Sequence, residues 1–238
     1  MKKITQSLLL AGLISAAPMA NAGVDLGSGW EGSANVGFVT DYSYRGISQT
    51  DTGPAVQGGF DLSHSSGFYA GIWGSNLDFG DDADLEVDYY AGFSGEFSNK
   101  LGYDAGFIYY NYPKSSAARA GDYDFWEIYG SLSYDFGPAS VTGGINWADD
   151  FFGGTGNATY YYGEVGIPLP AGFSVTLHAG QQDIDNGTDY AEYSIGLAKS
   201  LKGFDFSLTY KDTDLSDTEC GSNTLCDGEF IFGVSRSF

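Results

Sequence analysis

The segment Leu85–Phe97 alternates with a strict period of two. Leu85, Val87, Tyr89, Ala91, Phe93, Gly95 and Phe97 fall on one face; Glu86, Asp88, Tyr90, Gly92, Ser94 and Glu96 fall on the other. Successive side chains of a strand point to opposite faces, so this spacing specifies a strand and excludes a helix. A strand in a globular sheet usually ends after about five or six residues. Crossing a hydrocarbon layer with tilt takes about 9–11, and this segment is of that length. The pattern returns at Val56–Ser63, Trp126–Tyr134, Ser140–Trp147, Phe173–Gly180, Ala191–Ala198 and Phe204–Lys211, with less regular strands near Gly32–Tyr44 and Phe68–Leu77. In each, one face can meet lipid and the other cannot.

The connections alternate as well. Ser65-Ser66-Gly67, Ser98–Gly102, Gly137-Pro138, Pro170-Ala171-Gly172 and Lys202-Gly203 have tight-turn chemistry. Between them lie longer polar stretches: Ile47–Gly53, Asp78–Asp84, Pro113–Asp122, Asp149–Asn157, Asp183–Asp189 and Asp212–Gly228. Short turns on the periplasmic side and long loops outside are the mark of an outer-membrane barrel. The expectation is an all-β fold: a transmembrane antiparallel up-and-down β-barrel of about 12 strands, with both termini periplasmic.

Residues 1–22 read as a secretory signal peptide, with Lys2 and Lys3 before the apolar run Leu8–Ala17 and a small-residue cleavage site at Ala20-Asn21-Ala22. The run is too short to span a bilayer as a helix. Residues 23–238 then form the barrel domain. A hydrophobic content of 42% is low for a helical membrane protein and suits a barrel whose second face is polar. The chain carries 10 basic and 31 acidic side chains. Loss of residues 1–22 removes two lysines and no acid, which moves the formal charge from −21 to −23. Such a surface repels phosphate backbones, which argues against nucleic acid. Cys220 and Cys226 are close together in a polar stretch. In an oxidising compartment this spacing predicts a loop disulfide, and no nearby His or Cys completes a metal site.

The last strand places Phe230, Phe232, Val234 and Phe238 on one face. A terminal aromatic such as Phe238 is the feature read by the barrel-assembly machinery. Arg236 departs from that pattern, at a depth where a charge costs roughly 0–1 kcal/mol.

The run Val39-Thr40-Asp41-Tyr42-Ser43-Tyr44-Arg45-Gly46-Ile47-Ser48-Gln49 resembles the opening segment of the TorF family of porin-like outer-membrane proteins. Tyr69–Phe79 and Glu86–Phe93 resemble its next two segments. The resemblance spans essentially the whole mature chain. It implies an outer-membrane barrel with a channel role and no established substrate.

Alternation places Asp61, Glu86, Asp88, Glu96, Glu127, Glu164, His178, Glu192, Asp205, Lys211 and Glu229 toward the lumen. A water-filled lumen so lined concentrates cations and disfavours anions. Twelve strands at about 4.8 Å spacing and roughly 40° tilt give a backbone diameter near 24 Å. Side chains narrow this to roughly 10 Å or less, with room for ions and small solutes only. The reading is passive, cation-preferring diffusion without a cofactor; its rival is a non-conducting surface scaffold or receptor. Partners are then outer-membrane lipid, lipopolysaccharide and small solutes or cations; nothing in the sequence marks a subunit interface.

Arg45 has two readings. It either positions a carboxylate or phosphate at a constriction, or neutralises Asp41 or a lumen acid and so holds the first loop. The acidic loops at 78–84 and 212–217 lack calcium-loop order and read as solvated surface. An outer-membrane lipase needs Ser, His and an orienting group together on the lipid face. His178 alternates to the lumen and His64 abuts a turn, so an enzyme is not expected. Trp73, Trp126, Trp147 and Tyr160–Tyr162 suggest an interfacial aromatic girdle. Tyr90, Tyr129, Tyr160 and Tyr162 alternate inward and offer stacking faces for a sugar as the sharper alternative.

Overall fold

The computed structural model describes residues 23–113, 123–221 and 224–238. The signal-peptide segment 1–22 and most of the 113–122 stretch lie outside the described residues. The described residues hold twelve wall strands: β1 Trp30–Val39, β2 Ala55–His64, β3 Phe68–Asn76, β4 Leu85–Glu96, β5 Leu101–Asn111, β6 Phe125–Asp135, β7 Ser140–Ala148, β8 Ala158–Pro168, β9 Phe173–Ile184, β10 Tyr190–Leu201, β11 Phe204–Thr213 and β12 Glu229–Ser237. Each pairs antiparallel with the next, and β12 pairs back onto β1. Closure leaves no free sheet edge, which an apolar surround requires.

The seam explains the chain ends. β12 pairs with Asn35–Val39 of β1, and Phe238 exchanges backbone hydrogen bonds with Ala34 at 2.8 and 3.1 Å. Beyond that point a four-residue strand, Val24–Gly27, pairs with Trp30–Gly32 and continues the edge that β12 has left. Both described ends therefore lie at the short-turn end of the barrel. The turns there are 65–67, 97–100, 136–139, 169–172 and 202–203; the connections at the opposite end are 40–54, 77–84, 112–124, 149–157, 185–189 and 214–228.

The outward face is apolar. Val56, Phe60, Leu62, Ile72, Phe93, Phe107, Ile128, Leu132, Ile145, Leu177, Ile195, Leu208, Phe230 and Phe232 are all exposed. Their inward neighbours are small or polar. Many inward tyrosines lie flat on a glycine of the adjacent strand: Tyr69 is paired with Gly92 and Tyr129 with Gly106, where any Cβ would collide with the phenol. This packing needs glycine for space, and it accounts for part of a glycine count of 36.

The alternation-based expectations hold along the wall, with two differences. The first strand ends at Val39, not near Tyr44. Trp73, assigned above to a lipid-interface girdle, points inward, is buried and packs edge-on against Tyr42 at 5.5 Å. The period of two already required this, because Trp73 lies between the outward Ile72 and Gly74.

Candidate functional site

The first loop does not stay outside the barrel. After Val39 the chain turns inward and forms a small hairpin, Ser43–Tyr44 against Ile47–Ser48. Arg45 and Gly46 are its two turn residues, with φ of 47° and 82°. Positive φ at both central positions is the type I′ geometry that two-residue hairpins favour. Asp41 braces the base of the loop, accepting hydrogen bonds from Ser48 Oγ at 2.5 Å and Thr50 Oγ1 at 2.8 Å. Tyr42 donates its hydroxyl to Glu86 Oε1 at 2.7 Å. Burial, reinforced by the Glu86 carboxylate, pushes the Tyr42 phenol well above its ordinary pKa, so it stays a donor.

Arg45 lies at the tip and is 3% exposed. Its Nη2 donates to Glu127 Oε2 on β6 at 2.7 Å and its Nη1 to Gln182 Oε1 on β9 at 2.6 Å. The guanidinium carbon sits 4.2 Å from the Tyr160 ring centroid and 4.7 Å from that of Tyr44. Glu127 also accepts from Asn146 Nδ2 at 3.0 Å and Tyr110 at 3.3 Å. The hairpin thus ties β4, β6 and β9 together across the lumen. Of the two sequence readings of Arg45, the geometry gives the ion pair to a lumen acid, and that acid is Glu127, not Asp41.

The last loop joins this layer. Lys211 Nζ donates to the carbonyls of Leu225 and Asp227 at 3.1 and 3.0 Å, and Thr213 Oγ1 to that of Cys226 at 3.0 Å. Ser48 N of the hairpin donates to Leu225 O at 2.9 Å. Cys220 and Cys226 form the disulfide that closes this segment. One braced loop therefore holds both a wall lysine and the inward hairpin.

Toward the turn end the lumen is lined by tyrosines and carboxylates; Tyr69, Tyr90 and Tyr160 are buried, whereas Tyr129, Tyr162, Asp61 and Asp104 are partly exposed. Tyr69 bridges Asp104 Oδ1 and the Tyr129 hydroxyl, each at 2.5 Å. Tyr90 donates to Asp61. Tyr160 donates to Glu192 Oε1 at 2.5 Å, and Tyr160, Tyr162 and His178 stack in sequence at 5.7 Å spacing. His178 Nε2 lies 2.7 Å from Glu192 and its Nδ1 3.7 Å from Glu164.

The predicted lumen residues therefore occupy different environments. Glu86, Asp88, Glu127 and Glu192 are buried in or beside the hairpin layer, whereas Glu164 is half-buried below it. Asp88 Oδ1 is buried with no hydrogen-bond partner among the described residues. Asp205 lies at the turn end, where it accepts from Ser200. Phe238 closes the seam with β1. Gln182, Asn146, Tyr110 and Asp104 were not singled out from the sequence, although alternation places each inward.

His64 faces outward, with Nδ1 2.8 Å from Ser66 Oγ and Nε2 3.2 Å from the Ser28 carbonyl, so its ring caps the 65–67 turn. In the 78–84 loop Asp78 and Asp81 accept from Gly80 N and Ala83 N at 2.9 and 2.8 Å, as local turn caps. Phe79, Tyr112, Tyr123 and Phe152 pack on one another across three loops.

Residues 24–238 match the profile of a family described as "Bacterial protein of unknown function (Gcw_chp)". The chain belongs to this family. No curated protein matches the sequence. Among solved structures it is similar to the KdgM porin, with a TM-score of 0.61 at 9% identity over 87% of this chain and 99% of that one. A KdgM porin in complex with disordered oligogalacturonate matches with a TM-score of 0.60, also at 9% identity and with the same coverage. The NanC porin matches with a TM-score of 0.53 at 11% identity, over 87% of this chain and 98% of that one. The shared property is the fold, a closed twelve-strand barrel.

Proposed function

We propose that the chain is an outer-membrane channel for passive diffusion of ions and small solutes, with a preference for cations. The observation that carries this reading is the charge balance of the lumen. Inward carboxylates come from nine of the twelve wall strands, among them Asp61, Glu86, Asp104, Glu127, Glu164, Glu192, Asp205 and Glu229. The inward lysine and arginine among the described residues are engaged, Arg45 with Glu127 and Lys211 with loop carbonyls. A low-dielectric wall with this lining focuses a negative potential into the bore. The KdgM structure holds an oligogalacturonate, an anionic sugar chain; among the described residues the lumen of this chain presents no free lysine or arginine to pair with such a ligand.

In this reading residues 1–22 direct export, the termini are periplasmic, and Phe238 is the mark read by the assembly machinery. The likeness of residues 39–49 to the TorF family points the same way. The inward hairpin favours a second reading, a non-conducting scaffold, because its buried layer occupies the bore at the loop end.

Single-channel current in asymmetric KCl separates the two. Discrete steps with a cation-selective reversal potential are expected. A silent bilayer containing folded, heat-modifiable protein would instead establish the scaffold. Replacing Asp61 and Asp104 by Asn is expected to bring the cation-to-anion permeability ratio toward about 1. An unchanged reversal potential in that variant would refute the acidic-lumen basis of selectivity.

A further inference from the structure

Charge on the outer wall is separated by end. Among the described strand residues, the outward carboxylates are Asp183 and Asp212, both at the loop end. The outward lysine and arginine are Lys199 and Arg236, both at the turn end. The wall between them carries no outward charge. Lys199 and Arg236 are not isolated points. Lys199 on β10 is paired with Phe173 on β9 and Phe206 on β11, and its Nζ lies 4.2 Å from the Phe173 ring centroid. Arg236 on β12 reaches over Phe204 and Phe238, at 5.1 and 5.2 Å. Exposed Lys202 in the β10–β11 turn lies between them.

Three cations and four phenylalanines thus form one strip across adjacent strands β9–β12. These cations are a large share of the 10 basic residues in a chain with 31 acids. The rings seat in the outer hydrocarbon; Lys199 and Arg236, held over ring faces, project toward headgroup depth, and Lys202 lies exposed in the turn beside them.

We infer that the strip Lys199–Lys202–Arg236 is a docking site for the headgroup of an anionic phospholipid in the leaflet at the turn end. The inference rests on the reading of the chain as a membrane-spanning barrel. Charge complementarity selects the occupant. A zwitterionic lipid balances its own phosphate with its ammonium, whereas an anionic lipid leaves a net negative charge for the strip to neutralise. The opposite rim presents Asp183 and Asp212 and repels the same headgroup. The site therefore also favours one orientation of the barrel in an asymmetric membrane.

The test uses the purified full barrel released for native mass spectrometry from micelles doped with equal phosphatidylglycerol and phosphatidylethanolamine. Wild type is expected to retain phosphatidylglycerol preferentially. Arg236→Gln is expected to weaken that preference about fivefold, and a Lys199→Gln, Lys202→Gln, Arg236→Gln variant to bring it near parity. Lys100→Gln, in the turn between β4 and β5, is expected to leave it unchanged. Equal retention of the two lipids by wild type, or an undiminished preference in the triple variant, would overturn the inference. So would displacement of the lipid by millimolar inorganic phosphate. Heat-modifiable gel mobility verifies folding, and Arg236→Gln alone serves if the triple variant does not fold. Failure to insert into any bilayer would count against the membrane reading; insertion without headgroup preference counts against the lipid site alone.

Discussion

Replacement of Arg45 by Ala is expected to unseat the first loop, lower stability and raise single-channel conductance. The guanidinium is buried, bonds Glu127 and Gln182 at 2.7 and 2.6 Å, and lies between the Tyr44 and Tyr160 rings. Breaking a buried pair by removing one partner costs about 3–5 kcal/mol, because the remaining charge is uncompensated. Glu127 would keep its donors Asn146 and Tyr110 and lose its countercharge. A fall in the urea unfolding midpoint checks the first effect, and larger current steps check the second. Arg45→Lys is expected to recover little, since an ammonium lacks the planar fork whose separate nitrogens reach Glu127 and Gln182 while its face lies against two rings. Adding Glu127→Gln to Arg45→Ala is expected to restore part of the midpoint, because no buried charge is then left alone. An unchanged midpoint together with unchanged conductance would show that Arg45 neither holds the hairpin nor limits the bore.

The wall of this protein was legible in its sequence because a strand with one face toward lipid alternates apolar and polar residues with a period of two along most of its length. Glu86, Asp88, Glu127, Glu164, Glu192 and Asp205 all face the lumen for that reason alone. The pairing of Cys220 with Cys226 was likewise legible, from spacing and compartment. The contents of the lumen were less so. Residues 40–48 continue the composition of β1, with alternating Tyr42 and Tyr44, and carry no periodicity signal for leaving the wall. The signal that was present is the dipeptide Arg45-Gly46, a weak form of the type I′ turn. Partners such as Gln182 and Asn146 are hard to select because neutral amides on an inward face fit water, each other or an arginine equally well. Register across six strands decides among these, and one sequence does not contain it. The outer-wall strip was half visible: Arg236 stood out as an exception at the chain end, but its grouping with Lys199 and Lys202 requires three strands to be neighbours.

Gly46 provides the sharpest test that the hairpin occupies the bore. It has φ of 82°, a region that β-branched residues avoid. A Cβ there would lie 2.6 Å from Thr213 Cγ2 and 2.8 Å from Glu192 Cβ, both on the wall. Gly46→Val therefore combines backbone strain of about 1–3 kcal/mol with a collision against two strands that cannot retreat without breaking their ladders. The wall itself does not depend on residue 46, so the barrel is expected to close with the loop displaced into solvent. Trypsin reads this directly. In wild type Arg45 is 3% exposed, and no cleavage after it is expected from the folded protein. In Gly46→Val the displaced loop presents Arg45, and cleavage between positions 45 and 46 is expected while gel mobility remains that of a folded barrel. Gly46→Ala, which keeps the collision and lessens the backbone penalty, is expected to fall between the two. Cleavage of folded wild type at Arg45 would mean that the loop visits solvent readily, and the plug would then be a gate with a small opening cost. Resistance of folded Gly46→Val would mean that the wall yields at Thr213 and Glu192, and the close fit assigned to the hairpin tip would be wrong.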